Sequence, residues 1–190
     1  MKDTRATLLL RVRDRGDAKA WAEFHGLYAP LLYRYARQRG LTHADGEEIR
    51  DQCLLVVAQR IAALEYDREK GGFKNWLYCI ANGKVVDFFR KQRERQADTQ
   101  VLKAAVDPQP TPEELWDQQW RYQHLLYCAA EVKSAFDERT YRAFELLAFE
   151  ERGVDDVCAQ LNMTRNQVYL AKSRVLSRIR AKIEEMGLTL

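Results

Sequence analysis

The chain has 190 residues, which is enough for one domain or two small ones. Hydrophobic residues make up 46% of it, so a core can form and wholesale disorder is excluded. The net charge of +3 excludes a histone-like protein. That charge is unevenly distributed: residues 1–96 carry +6, residues 97–118 carry −4 and residues 119–190 carry +1. An acidic segment therefore separates two neutral-to-basic blocks.

Membrane insertion, secretion and disulfide bonding are not expected. The longest apolar run, residues 53–58, is far shorter than the roughly 20 residues that a membrane-spanning helix needs. The N-terminus lacks the apolar length and the cleavage site of a signal peptide. The four cysteines are widely spaced and fit the reduced thiols of a cytoplasmic protein. We expect a cytoplasmic location.

Helical periodicity predicts an all-α protein, because apolar residues recur at spacings of three and four and no convincing strand is found. In the first block, Asp17 is expected to cap a helix that Pro30 kinks or breaks and Gly40 ends. A second helix is predicted over 45–63 and a third from Phe73. Their buried residues are predicted to be Ile49, Cys53, Val56, Val57 and Ile61, then Trp76, Leu77, Ile80, Ala81, Val85 and Phe88.

A flexible, acidic, proline-containing linker is predicted over 97–112, between two small helical domains at 1–96 and 113–190. Helicity is expected to resume near Thr111. Further helices are predicted over 137–151, 154–161 and 164–185, with Val157, Cys158 and Leu161 of the short one facing inward.

The last two helices form a predicted helix-turn-helix, since Asn162-Met163 is a tight turn and Thr164-x-x-Gln167 has the form of a capping box. The long helix buries a narrow stripe: Val168, Ala171, Val175 and Ile179. The first residues of such a helix reach base edges in the major groove. Asn166 and Gln167 can pair with adenine there, although capping can occupy Gln167, and the cationic residues further along the helix suit phosphates. The alternative is a surface helix with a solvated basic face.

The segment 73–91 interleaves aromatic, amide and basic residues, a composition that suits single-stranded DNA. Phe73, Trp76 and Phe88 share one helical face, so they are assigned to the core. The contact candidates on this helix are Lys74, Asn75, Asn82, Lys84 and Arg90.

An acidic cluster precedes that segment and comprises Asp45, Glu47, Glu48 and Asp51. A solvated face or a docking surface for a basic partner is favoured over a divalent-metal site. His124 and Cys128 lie one turn apart, but two ligands do not make a zinc site. With neither a glycine-rich phosphate loop nor a nucleophile–base pair, we expect no enzyme, no cofactor and no metal.

The order of these segments resembles the two-domain extracytoplasmic-function sigma factors of bacterial RNA polymerase. The resemblance spans about residues 17–183 and is carried by Phe-x-x-Trp-Leu-x-x-Ile-Ala-x-x-x-x-x-Asp-x-x-Arg-Lys at 73–91 and by the helix-turn-helix at 153–180. It implies a non-catalytic initiation subunit whose partners are the clamp of core RNA polymerase, promoter DNA and an anti-sigma factor or another regulator. It implies no membrane insertion.

The same resemblance implies roles for individual residues. Docking on the clamp would use the predicted acidic cluster together with Gln52. Minus-ten recognition and melting would use residues 70–91, which adds Asp87 and Lys91 to the candidates above. Minus-thirty-five reading would use Arg165, Asn166, Tyr169 and Lys172, with Arg174 on phosphate. Three departures from the family pattern stand out. Asp51 lies where glutamine is usual, and Gly83 lies where asparagine is usual. Residues 168–174 are Val-Tyr-Leu-Ala-Lys-Ser-Arg, where the shorter Val-Lys-Ser-Arg is commoner.

Two other classes remain open from the residues. A conventional repressor or activator would use the same helix-turn-helix as a dimer on duplex DNA. A nucleic-acid enzyme would need a catalytic set that the sequence does not offer. The short segment after the helix-turn-helix leaves no room for a sensor domain, so control by a separate molecule is expected.

Overall fold

The computed structural model describes residues 4–64, 72–95 and 110–186. Within these ranges the regular structure is helical and contains no β-strand, which confirms the predicted all-α class. Eight α-helices follow in chain order: α1 (Thr4–Arg11), α2 (Ala18–Gln38), α3 (His43–Arg60), α4 (Gly72–Arg95), α5 (Pro112–Val132), α6 (Glu138–Ala148), α7 (Val154–Leu161) and α8 (Arg165–Glu185). None of the described helices has the length and apolar character needed to cross a membrane.

Helix α2 begins and ends where its sequence indicates. The Asp17 carboxylate accepts a hydrogen bond from the Ala20 amide at 2.9 Å, and this carboxylate also pairs with Arg11. The ion pair and the cap together lower the pKa of Asp17. The helix continues through Pro30, so the expected break does not occur. It ends before Gly40, whose φ of +93° lies in the region that favours glycine.

Helices α2, α3 and α4 pack together and bury the predicted stripes only in part. Ile49, Cys53 and Val57 of α3 are buried as expected, and burial raises the pKa of the Cys53 thiol to about 12. The other predicted core residues divide into two groups. Ile61, Leu77, Ala81 and Val85 are buried, as is Phe73, whereas Val56, Trp76, Ile80 and Phe88 are half-buried. Those four side chains are more exposed than predicted. Periodicity gives the direction of a side chain but not how much of it the neighbouring side chains cover.

Helix α5 begins with a capping box, in which the Thr111 hydroxyl accepts from the Glu114 amide and the Glu114 carboxylate accepts from the Thr111 amide. The chain forms two compact units, Ala6–Gln123 and one that contains His124–Leu190. The first half of α5 thus belongs to the first unit, although the sequence places the second domain from residue 113. Most of the predicted linker, residues 97–109, and the loop at 65–71 lie outside the described residues.

An aromatic cluster in the first unit explains why this half of α5 belongs there. It comprises Tyr28, Tyr35, Phe73, Trp116 and Trp120, and the two tryptophans are only 1% and 2% exposed. The Trp116 ring lies 5.2 Å from that of Tyr35 between centroids, and the Trp120 ring lies 5.8 Å from that of Tyr28. Each such ring removes a large apolar area from water. The sequence analysis singles out neither tryptophan, because local periodicity cannot name the partners that a helix will contact.

The second unit is built around α8. Val168 and Ala171 pack with residues of α6 and α7, and Val175 and Ile179 pack with residues of α5 and α6. The Tyr141 hydroxyl donates to the Ala129 carbonyl at 2.8 Å and so ties α6 to the second half of α5. In α7 the three residues predicted to face inward do so: Val157 is buried, and Cys158 and Leu161 pack against the same core while half-exposed. Helix α6 ends at Ala148, earlier than expected.

Replacing Trp116 tests the aromatic cluster. Trp116→Ala is expected to lower the free energy of unfolding by about 3–5 kcal/mol, because it leaves a cavity among buried rings. Trp116→Phe should cost less: it keeps a ring, and no hydrogen-bond acceptor for the indole N–H occurs among the described residues. Urea denaturation followed by circular dichroism measures both variants. The control is Gln118→Ala on the exposed side of α5; an equal loss there would contradict the role of Trp116.

Candidate nucleic-acid interface and docking surface

The turn before α8 is fixed by hydrogen bonds at both of its ends. Gln167 accepts through Oε1 from the Thr164 amide at 2.8 Å, and the Gln167 amide donates to Thr164 Oγ1 at 3.3 Å. This is the predicted capping box, and it occupies the side-chain oxygen of Gln167. Asn162 adopts φ +50°, and the Arg139 guanidinium donates to the carbonyls of Leu161 and Asn162. Arg139 on α6 therefore holds the turn, a role that local sequence patterns do not indicate.

The start of α8 presents its polar side chains outward because its apolar stripe is buried. Of the residues predicted to read DNA, Lys172 is half-buried. The other five are exposed: Arg165, Asn166, Gln167, Tyr169 and Arg174. The exposed fraction of Tyr169 is 56%. Leu170, which the sequence did not single out, is 45% exposed on the same surface. The arrangement offers amide, aromatic, aliphatic and cationic groups within two helical turns.

One of these cations already has a partner. The Arg165 guanidinium makes two hydrogen bonds to the Asp155 carboxylate, at 2.8 and 2.7 Å. This contact raises the pKa of Arg165. Both side chains are about 70% exposed, so water and salt weaken the pair and a phosphate can compete for the arginine.

Helix α4 carries the residues expected at single-stranded DNA, and several are engaged within the first unit. Lys74 Nζ lies 2.7 Å from an oxygen of Asp117 on α5. The Asn82 side-chain oxygen accepts from the Tyr35 hydroxyl at 3.1 Å and from Arg39 at 2.7 Å. Asn75 is exposed. Neither Asp117 nor Arg39 was a sequence candidate, because long-range pairs leave no local pattern.

A neighbouring contact joins the same two helices. The Tyr78 hydroxyl donates to the Glu113 carboxylate at 2.5 Å. Burial and this hydrogen bond raise the pKa of Tyr78, whereas the hydrogen bond lowers the pKa of Glu113. Two acidic residues of α5 thus contact the side of α4 on which Lys74 lies.

A groove between α3 and α4 brings together residues that were predicted for two different tasks. Helix α3 contributes Asp45, Glu48 and Gln52, which were predicted to dock on the polymerase. Helix α4 contributes Lys84, Asp87 and Lys91, which were predicted to contact the minus-ten element. The apolar lining of the groove is Ile49 and Phe88. Arg90 lies beside it and pairs with Asp87 at 3.0 Å. Charges of both signs therefore face one shared depression.

The acidic face of α3 is partly neutralised from within. Arg50 lies 2.7 Å from Asp51 and 3.6 Å from Glu47, and its hydrogen bond lowers the pKa of Asp51. Glu48 instead accepts a hydrogen bond from the Gln52 amide at 2.8 Å. Gln52 carries no charge, so this contact does not neutralise Glu48, which is exposed. Asp45 also has an uncharged partner, Thr42, but it is half-buried, so Glu48 is the acidic residue of this face best placed to attract a basic partner.

A second groove runs between the end of α3 and α4. Its lining includes the half-buried Trp76 and Ile80, the exposed Cys79 and Gly83. A Cβ on Gly83 would meet nothing within 4 Å, so the family's usual asparagine at this position would find open space. In the described part of the chain, no three His, Cys, Asp or Glu side chains are placed to hold a metal ion.

Comparison with known proteins finds similarity to sigma factors of RNA polymerase. Residues 25–95 match the sigma-70 region 2 family. The chain is 25% identical over 137 residues to the ECF RNA polymerase sigma factor RpoE of Cereibacter sphaeroides. The aligned region covers 72% of this chain and 74% of that protein.

Two solved structures are also similar. CnrH, solved with the cytosolic domain of CnrY, gives a TM-score of 0.41 at 14% identity and covers 96% of this chain and 98% of that one. RpoE of Bartonella quintana, solved with the anti-sigma factor NepR, gives 0.37 at 15% identity and covers 88% and 98%. Scores this low carry no argument. Residues 25–95 thus match a sigma-70 region 2, and together with the similarity to an ECF sigma factor this match supports a sigma-factor role in the initiation of transcription.

Proposed function

We propose that the two parts of this sigma factor divide promoter recognition between them. The first unit docks on the clamp of core RNA polymerase through α3 and captures the melted minus-ten element along α4. The start of α8 reads the minus-thirty-five element as duplex DNA. The observation that carries the proposal is the outward presentation of Arg165, Asn166, Tyr169 and Arg174 on a helix whose opposite stripe is buried.

Binding by parts explains how a chain with a net charge of only +3 can act on DNA. Each contact surface is small, and neither needs high affinity by itself. Tethering both to the polymerase raises their effective concentration at the promoter. We infer that the chain supplies no catalytic step, that it works in the cytoplasm with the polymerase, and that an anti-sigma factor or another separate regulator controls it.

The docking proposal is tested by reversing the charge of Glu48. Glu48→Lys should weaken binding to core RNA polymerase at least about tenfold, because like charges across an interface cost several kcal/mol. Fluorescence anisotropy with labelled full-length protein measures the affinity, and run-off transcription from a responsive promoter measures initiation. Asp14→Lys, the same reversal at an exposed carboxylate before α2, is the control. Equal losses in the two variants would refute docking through α3.

The Arg165–Asp155 pair generates a test of phosphate contact. Asp155→Asn should strengthen binding of the holoenzyme to promoter DNA about two- to fivefold, since it releases Arg165 from a surface ion pair. Asp156→Asn makes the same change of charge on the adjacent exposed residue, whose carboxylate is not paired with Arg165 in the described structure, and serves as the matched control. Filter binding at two salt concentrations separates the variants. If both asparagines strengthen binding equally, Arg165 does not contact the DNA.

Base reading by Asn166 is tested by its removal. Asn166→Ala should lose about 1–3 kcal/mol of discrimination at one base pair of the upstream element, because an amide can pair bidentately with adenine. Competitive transcription from a set of promoters that differ at single base pairs measures the effect. Uniform weakening on every promoter would show that Asn166 contacts only the DNA backbone.

A further inference from the structure

Leu170 occupies an unusual place on α8. Its neighbours Val168 and Ala171 are buried, yet Leu170 itself is 45% exposed. Exposing a large aliphatic side chain forgoes the stabilisation that burial would give it. The side chain contributes to the lining of a shallow groove with Gln167 and Arg174 of its own helix and Arg139 of α6. Among the exposed residues of this surface, Leu170 is the aliphatic one that none of the proposed contacts uses.

The position of Leu170 points at the same target as Asn166. The two residues are four apart, so they lie within about 40° of each other around the helix axis and about 6 Å apart along it. Arg174 follows at the same spacing and is exposed. Amide, aliphatic and cationic side chains therefore form one row on the outward face of α8. A ligand that the first and last members contact will also lie over Leu170.

The major groove of DNA offers one apolar group, the 5-methyl of thymine. We propose that Leu170 is a specificity-determining residue that packs against a thymine methyl in the upstream promoter element. This inference rests on the proposed reading of that element by α8. Since base pairs are stacked about 3.4 Å apart, a separation of about 6 Å along α8 corresponds to at most about two base-pair steps. The thymine lies within two base pairs of the pair that Asn166 reads.

The experiment removes the methyl group without changing base pairing. Upstream elements are first enriched from randomised promoters with the wild-type protein and core RNA polymerase. Each thymine of the enriched duplex is then replaced singly by deoxyuridine, and holoenzyme affinity is measured by competition. One replacement should weaken wild-type binding about fourfold, the effect of losing one buried methyl-sized group.

Variants connect that loss to Leu170. Leu170→Ser should bind the thymine and deoxyuridine duplexes equally, whereas Leu170→Met should keep the preference for thymine because it keeps an aliphatic side chain. Leu10→Ala, at a leucine that is 60% exposed on α1, should retain the full wild-type preference. Circular dichroism verifies that each variant is folded, which the exposure of Leu170 leads us to expect.

The outcomes separate this inference from the function on which it rests. Enrichment of an upstream element with no sensitivity to deoxyuridine at any position overturns the role of Leu170 alone. The same holds if Leu170→Ser remains as sensitive as the wild type, or if Leu170→Ser changes core binding but not DNA preference. If no upstream element is enriched, reading by α8 is overturned and the role of Leu170 with it.

Discussion

The rotation of α8 about its own axis decides which of its side chains are available for the proposed contact with DNA, and the burial of one apolar stripe sets that rotation. Val168, Ala171 and Val175 face the core of the second unit, so the intervening residues must face outward. A rotation by one residue would expose two β-branched side chains and bury Tyr169 or Leu170 in their place. The hydrophobic effect makes that exchange unfavourable by several kcal/mol. The packing of the core therefore determines which side chains of α8 form the surface proposed to read DNA.

The cap and the turn complete this constraint. Thr164 and Gln167 bond each other's backbone, and Arg139 bonds the carbonyls where α7 ends. These groups would otherwise be unsatisfied at the helix termini. Because they are satisfied within the protein, α8 starts at a defined residue. A reading helix needs that definition, since a shift of its start would move every side chain along the groove.

The sequence predicts the local features of this molecule well and the long-range ones poorly. Residues only a few positions apart form the cap at Asp17, the capping box at Thr164 and the buried stripe of α8. Periodicity and capping rules therefore predict these features. The contacts Lys74–Asp117 and Tyr78–Glu113 join residues that are remote in sequence, and no local rule pairs them. Likewise no local pattern indicates that tryptophans of α5 contact Tyr28 and Tyr35. The degree of burial is poorly predicted for the same reason. Trp76 points inward, yet its neighbours cover only part of it.

The attachment of the first half of α5 to the first unit combines two kinds of interaction that respond oppositely to salt. The Lys74–Asp117 pair is partly exposed, and dissolved salt weakens exposed ion pairs as its concentration rises. The burial of Trp116 and Trp120 involves no charge, and sulfate or phosphate strengthens it. Phosphate contacts with DNA, by contrast, lose affinity steeply as salt rises. Raising the ionic strength therefore dissociates promoter complexes while the tryptophan packing of α5 persists, so the two can be observed independently in a single titration.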